Sequence, residues 1–223
     1  MRLGALIALA ALALAGCGGG SDGETTTQEA TPAPAATTSA GGCEAVETPA
    51  PKADGGQQAP PEPLEGKAYS LVVETNCGSF TVGLDLAAAP NTAASLVALA
   101  ESSFFDGLIF HRIVPGFVIQ GGDPTGTGTG GPGYKTVDVP PAGTSYTKGI
   151  VAMAKAGNEA PGTSGSQFFV VTADDAMLPP EYAVVGKVTA GLDVVEKIGT
   201  LGDSASQQPL EPIVIERVTV ETG

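Results

Sequence analysis

The strongest candidates for a reactive or binding group lie in one stretch, Phe110-His111-Arg112-Ile113-Val114-Pro115-Gly116-Phe117-Val118-Ile119-Gln120-Gly121-Gly122-Asp123. Arg112 and Gln120 are its long polar side chains in an otherwise apolar neighbourhood. Pro115-Gly116 presets a tight reversal, so the flanking runs Ile109 to Val114 and Phe117 to Ile119 predict a hairpin. That hairpin brings Arg112 and Gln120 together on adjacent strands. A guanidinium carried into such surroundings has two uses. It can form an interior ion pair with a carboxylate, or it can act electrostatically as a rigid fork of donors that stays protonated.

Other candidates for chemistry are weaker. His111 is the single histidine, and without a Ser or Cys in an activating motif it reads as a packed neighbour of Arg112, not as the base of a hydrolase. Gly126, Gly128 and Gly131 match a dinucleotide-loop spacing, but Pro132-Gly133 stands where a helix must begin, and the chain has no lysine-bearing phosphate loop. A glycine-rich surface loop is expected there, with no nucleotide. The cysteines and the histidine have no ligand-pair spacing, so neither a metal nor another cofactor is expected. With 24 acidic against 10 basic residues and a net charge of -14, nucleic acid is a poor partner.

The positioning elements follow from periodicity. Tyr69 to Thr75 and Ser79 to Asp85 alternate around Asn76-Cys77-Gly78, which is hairpin chemistry. Asn91 is expected to cap a helix running to about Ser102, with Ala94, Leu96, Val97, Leu99 and Ala100 on its apolar face. Gly149 to Lys155, Gln167 to Thr172, Ala183 to Val188 and Ile213 to Glu221 are β-rich, and Leu192 to Ile198 predicts a second short helix. Many short strands with two helices favour an all-β fold, a closed antiparallel barrel with a helix over each mouth.

The first 66 residues read differently. Met1-Arg2 and the apolar run Leu3 to Leu14 form a signal peptide, residues 1–17, too short to span a bilayer comfortably. Its end, Leu14-Ala15-Gly16-Cys17, resembles the bacterial lipobox, in which Cys17 is lipidated and becomes the mature terminus; an ordinary cleaved signal is the alternative. The expectation is an extracytoplasmic protein held to the cell membrane by an N-terminal lipid anchor. Residues 18–66 are rich in Gly, Thr, Pro, Ala and acids and have almost no large apolar side chains, which predicts a disordered tether. If Cys17 is acylated, Cys43 and Cys77 remain as an even pair, either a disulfide or two unrelated thiols.

The hairpin motif, together with Gly128-Thr129-Gly130-Gly131 after it and Gly165-Ser166-Gln167-Phe168-Phe169 further on, resembles the cyclophilin family of peptidyl-prolyl isomerases over residues 67–223. Three separated motifs in the family's order are more specific than any single pattern. The resemblance implies a closed eight-stranded barrel capped by two helices, a monomer, and partners that are proline-containing polypeptides such as unfolded exported proteins.

A prolyl bond is held planar by resonance, with a barrier of about 18 to 20 kcal/mol. Lowering it needs neither nucleophile nor metal, only a donor aimed at the imide nitrogen and an apolar pocket that removes water. The resemblance makes Arg112 that donor and has Gln120 bind the substrate backbone and orient the guanidinium, with Phe117 completing the catalytic group. Val118, Phe169 and Leu178 would line the proline pocket with Phe117, and Gln167, Ala154 and Ala156 would border the neighbouring groove. Met177 stands where many relatives carry tryptophan, Tyr182 near a frequent histidine, Val118 for a methionine and Lys155 for a substrate-binding asparagine, while Gly157 to Ala160 resembles a small insertion. These departures bear on cyclosporin affinity and substrate preference. A second reading, from another class, is a chaperone or scaffold module that binds proline segments with little turnover.

Overall fold

The computed structural model describes residues 38–39, 41–60 and 62–223. The signal peptide and lipobox at residues 1–17, Cys17 included, and the expected tether before residue 38 lie outside the described residues.

Among the described residues, eleven strands and two helices follow in chain order. The first half comprises β1 (Tyr69–Thr75), β2 (Gly78–Leu84), α1 (Pro90–Glu101), β3 (Leu108–Ile109), β4 (Arg112–Val114), β5 (Val118–Gly121) and β6 (Thr136–Val137). The second comprises β7 (Ile150–Met153), β8 (Thr163–Ser164), β9 (Phe168–Val171), β10 (Val184–Ala190), α2 (Leu192–Gly199) and β11 (Val214–Thr222). Nine strands form one antiparallel sheet in the order β3-β11-β1-β2-β10-β7-β9-β5-β4, and β6 pairs with β8 separately.

The expected closed eight-stranded barrel is therefore corrected to a curled, nine-stranded half-barrel. Its edges, β3 and β4, lie on one continuous segment separated only by Phe110-His111, so they run in succession and form no ladder with each other. The segment leading into β11 takes up backbone groups at this gap. Phe110 N–H donates to the Ile213 carbonyl and Ile113 N–H to that of Gln207, both at 2.9 Å.

Inside the curl, Phe80, Phe105, Phe110, Ile113, Ile119, Met153, Ile198, Ile213 and Ile215 are fully buried. Phe110 and Phe105 each meet Phe168 edge to face, at 6.0 and 6.1 Å between centroids. A smaller apolar cluster of Val118, Tyr146, Ala152, Phe169, Val171 and Ala176 lies beneath the face that carries Arg112.

Helix α1 begins two residues earlier than expected, with Ala89 and not Asn91 at its N-cap. Pro90 occupies the first turn, where its missing N–H costs nothing. The orphan N–H groups go instead to a distant carboxylate: Thr92 N–H donates to Asp138 Oδ2 at 2.7 Å and the Thr92 hydroxyl at 2.6 Å, while Asn91 Nδ2 donates to Oδ1 at 2.9 Å. An acceptor supplied from 46 residues away leaves no local sequence signature.

The tether expected at 18–66 is also corrected where it is described. Cys43 and Cys77 are joined by a disulfide, and Glu44 N–H donates to the Asn76 carbonyl at 2.7 Å. Beyond this staple, residues 52–57 lie as a strap on the glycine-rich loop. Lys52, Gly55 and Gln57 donate their N–H groups to the carbonyls of Pro124, Gly131 and Pro132, at 2.7, 2.9 and 2.9 Å. The strap is held by backbone pairing and a covalent link, neither of which needs the large apolar side chains it lacks.

Candidate functional site

The hairpin that carries the site closes as its sequence predicts. Gly116 sits at φ +69° after Pro115, and Phe117 N–H donates to the Val114 carbonyl at 3.0 Å, which makes a turn that needs glycine at its third position. The resulting register places Arg112 directly opposite Gln120, with Ile113 opposite Ile119 and Val114 opposite Val118. Isoleucines at the middle rung face the core, so the polar pair faces the other side of the sheet.

Arg112 is held by neutral amides. Its Nε donates to Gln207 Oε1 at 2.8 Å and its Nη1 to Gln120 Oε1 at 3.3 Å. No ion pair involves Arg112 among the described residues, so the interior salt-bridge reading has no partner. Burial pushes the guanidinium down from its ordinary value, opposed by Tyr182, yet an arginine remains protonated at any working pH. Its positive charge is therefore not neutralised by a neighbouring acid.

From Gln120 the network continues in one direction. Gln120 Nε2 donates to Gln167 Oε1 at 3.1 Å, and Gln167 Nε2 donates to the Gly130 carbonyl at 2.9 Å. Each amide presents its oxygen toward Arg112 and its nitrogen toward the loop. The loop is itself organised by Asp123, which accepts from the Thr125 N–H at 2.7 Å, the Thr125 hydroxyl at 2.9 Å and the Gly128 N–H. Burial works against ionisation of Asp123, but these bonds and the Gly130 N–H outweigh it and hold the carboxyl below its usual range.

Two adjoining clefts flank this network. One, of about 350 Å³, is lined by Arg112, Phe117, Val118, Gln120, Ala154, Lys155, Phe169, Leu178 and Tyr182. The other, of about 270 Å³, shares Gln120, Ala154 and Lys155 and adds Ala156, Gln167, the loop residues Gly128 to Gly130, and Lys135 paired with Glu159 at 2.9 Å. The first cleft has an aromatic floor: Phe169 meets Tyr182 edge to face at 5.6 Å, and the buried Tyr146 hydroxyl donates to the Tyr182 carbonyl at 2.7 Å. The Lys155 side chain is 4% exposed, pairs with Glu181 at 2.9 Å and lies 5.6 Å from the Tyr182 ring centre.

Of the residues singled out from sequence, the structure gathers Arg112, Phe117, Val118, Gln120, Ala154, Lys155, Ala156, Gln167, Phe169, Leu178 and Tyr182 around these clefts. Met177 is not among them. It is 83% exposed, sits at φ +52° with its N–H on Asp175 Oδ1, and lines neither cleft. This left-handed turn swings its side chain into solvent. His111 does not hydrogen-bond Arg112; both ring nitrogens are buried without a partner, and burial lowers its pKa, keeping the imidazole neutral. Gln207 was not foreseen, because it lies in a polar loop, Asp203 to Gln208, with no periodicity to mark it. Among the described residues, no cluster of three or more His, Cys, Asp or Glu is placed to hold a metal ion, and no helix is long and apolar enough to cross a membrane.

Comparison with known proteins assigns the class. A family model described as cyclophilin type peptidyl-prolyl cis-trans isomerase/CLD matches residues 70–220. The probable peptidyl-prolyl cis-trans isomerase A of Mycobacterium leprae is 39% identical over 169 residues, covering 68% of this chain and 91% of the relative. The peptidyl-prolyl cis-trans isomerase-like 1 of Aspergillus fumigatus is 37% identical over 157 residues, covering 69% and 96%. A crystal structure of a Cryptosporidium parvum cyclophilin type peptidyl-prolyl cis-trans isomerase superposes with TM-score 0.64 at 31% identity, covering 70% of this chain and 99% of that one. A second structure of that protein, in the presence of the dipeptide Ala-Pro, superposes with TM-score 0.63. This chain belongs to the cyclophilin-type peptidyl-prolyl cis-trans isomerase family.

Proposed function

We propose that this protein is an extracytoplasmic, lipid-anchored prolyl isomerase that works as a monomer on exported polypeptides, and that Arg112 is its catalytic donor. The observation that carries the assignment is a guanidinium held by amides alone at the wall of an apolar cleft. A proline ring seats against Phe117, Val118, Phe169 and Leu178, which excludes water from one face of the amide. As the C–N bond twists, its nitrogen regains a lone pair, and a preorganised donor beside it stabilises that state more than the planar one. Gln120 binds the substrate backbone and keeps the fork oriented, and the second cleft takes a side chain flanking the proline.

A protease-coupled assay on proline peptides tests the reaction. Turnover is the expected result; tight peptide binding with no acceleration would favour the chaperone or scaffold reading. The anchor rests on Leu14-Ala15-Gly16-Cys17, and Cys17→Ser is expected to lose acyl labelling and to leave the membrane fraction. Wild-type protein without an acyl chain would end that part of the proposal. Because one chain anchors only marginally, a multiply acylated terminus is expected.

Gln207 gives a separate prediction. It sits at φ +62°, a conformation that costs a non-glycine residue free energy, and it holds Arg112 Nε. Gln207→Ala is expected to lower kcat about tenfold, the equivalent of one displaced charge-assisted hydrogen bond, with KM and Tm nearly unchanged. A rise in KM at constant kcat would assign Gln207 to peptide binding instead.

A further inference from the structure

We propose that Asp54, on the N-terminal strap, is a positioning residue for the isomerase site, acting through the glycine-rich loop on how firmly the amide relay to Arg112 is held. The proposal rests on the assignment of Arg112 and Gln120 given above. Three observations carry it.

The first is continuity. Gly131 N–H donates to Asp54 Oδ1 at 2.8 Å, and Gly55 N–H returns a bond to the Gly131 carbonyl at 2.9 Å, so the strap clamps Gly131 by both of its backbone groups. The next residue back, Gly130, supplies the carbonyl on which Gln167 Nε2 ends. Asp54 is thus tied to Arg112 by an unbroken series: Gly131, Gly130, Gln167, Gln120, Arg112.

The second is direction. An amide side chain can exchange its oxygen and nitrogen by rotating half a turn, and its surroundings decide which way it lies. Here the Gly130 carbonyl can only accept, which directs Gln167 Nε2 to the loop and Gln167 Oε1 to Gln120. Gln120 then turns its own oxygen to Arg112. The guanidinium at the other end can only donate, so it holds Gln120 Oε1 toward itself; were the Gly130 carbonyl displaced, Gln167 Nε2 would lose its acceptor, and Gln167 would no longer be held to receive Gln120 Nε2. The loop carbonyl is therefore one of two fixed termini of the relay, and the one that the strap holds.

The third is fit. A Cβ added to Gly133 would lie 3.0 Å from Gly55 Cα and 3.1 Å from Gly56 N, so strap and loop approach at backbone distance. The strap enters this contact from the Cys43–Cys77 disulfide and is held again by Lys52 Nζ on the Phe104 carbonyl at 3.0 Å. Asp54 precedes residues 70–220, the part matched by the family model, so this support is an addition to the family's domain.

The test uses the full chain, with Asp54→Ala, Asp54→Asn and Arg112→Ala assayed beside wild type. Asp54→Ala is expected to lower kcat about threefold to tenfold, as for one net hydrogen bond, with faster amide exchange at Gly131 and an unchanged Tm. Asp54→Asn keeps the acceptor oxygen and is expected to restore both the rate and the protection. Wild-type turnover in Asp54→Ala, or equal losses in both Asp54 variants, overturns the proposal. If Arg112→Ala is impaired and Asp54→Ala is not, only the strap's role fails; if Arg112→Ala turns over at the wild-type rate, the site assignment falls and the relay with it.

Discussion

Arg112→Ala is expected to lower kcat and kcat/KM together by about 10²- to 10³-fold, or roughly 2.7 to 4 kcal/mol of transition-state stabilisation, by analogy with removal of one preorganised donor. KM should move little, because the guanidinium interacts with the twisted amide more than with the planar one. The fold is expected to survive. A structural arginine paired with a buried acid would cost about 3 to 5 kcal/mol of stability when removed, but Arg112 has no such partner among the described residues. Its removal frees the oxygens of Gln120 and Gln207, which solvent filling the cleft can satisfy. Peptide turnover and thermal melting on one preparation check this: a folded variant with wild-type turnover would refute the catalytic assignment.

The second large effect is on stability. Reducing the Cys43–Cys77 disulfide, which closes a loop of 34 residues, is expected to lower the unfolding free energy by about 3 to 4 kcal/mol in the chain-entropy model. A floating tether inside that loop would have diminished the effect. The strap does not float, since its backbone groups pair with Pro124, Gly131 and Pro132. Urea unfolding with and without reductant, followed by a double Cys43→Ser/Cys77→Ser variant, measures it. A denaturation midpoint that does not shift would show that the strap's own hydrogen bonds, and not the covalent link, keep it in place.

Much of this was legible in the residues. The Arg112 to Gln120 hairpin was readable because alternating apolar residues and Pro115-Gly116 fix strand period and turn type together, and a one-residue slip would have buried the arginine in the core. The long strands and α2 were legible for the same reason. The two-residue strands β3, β6 and β8 are too short to show a period, and α1 takes its cap from Asp138, which local pattern cannot reveal. The strap was misjudged because a composition argument counts apolar area, whereas its hold is covalent and polar. Gln207 and the Gly130 carbonyl escaped for a related reason: each contributes through where a loop places one oxygen atom, which no residue type announces.

The open sheet also bears on how this protein survives its own clients. A machine that handles extended chains risks having one join its sheet, since an unpaired strand edge is a template for any unfolded polypeptide. Here the edges are two and three residues long and lie on one continuous segment, Leu108 to Val114, with Phe110 and Ile113 N–H groups already engaged. There is little free ladder to extend. An extended polypeptide therefore finds little backbone to pair with at the sheet edge, which leaves the side chains of the two clefts as the surface able to hold one.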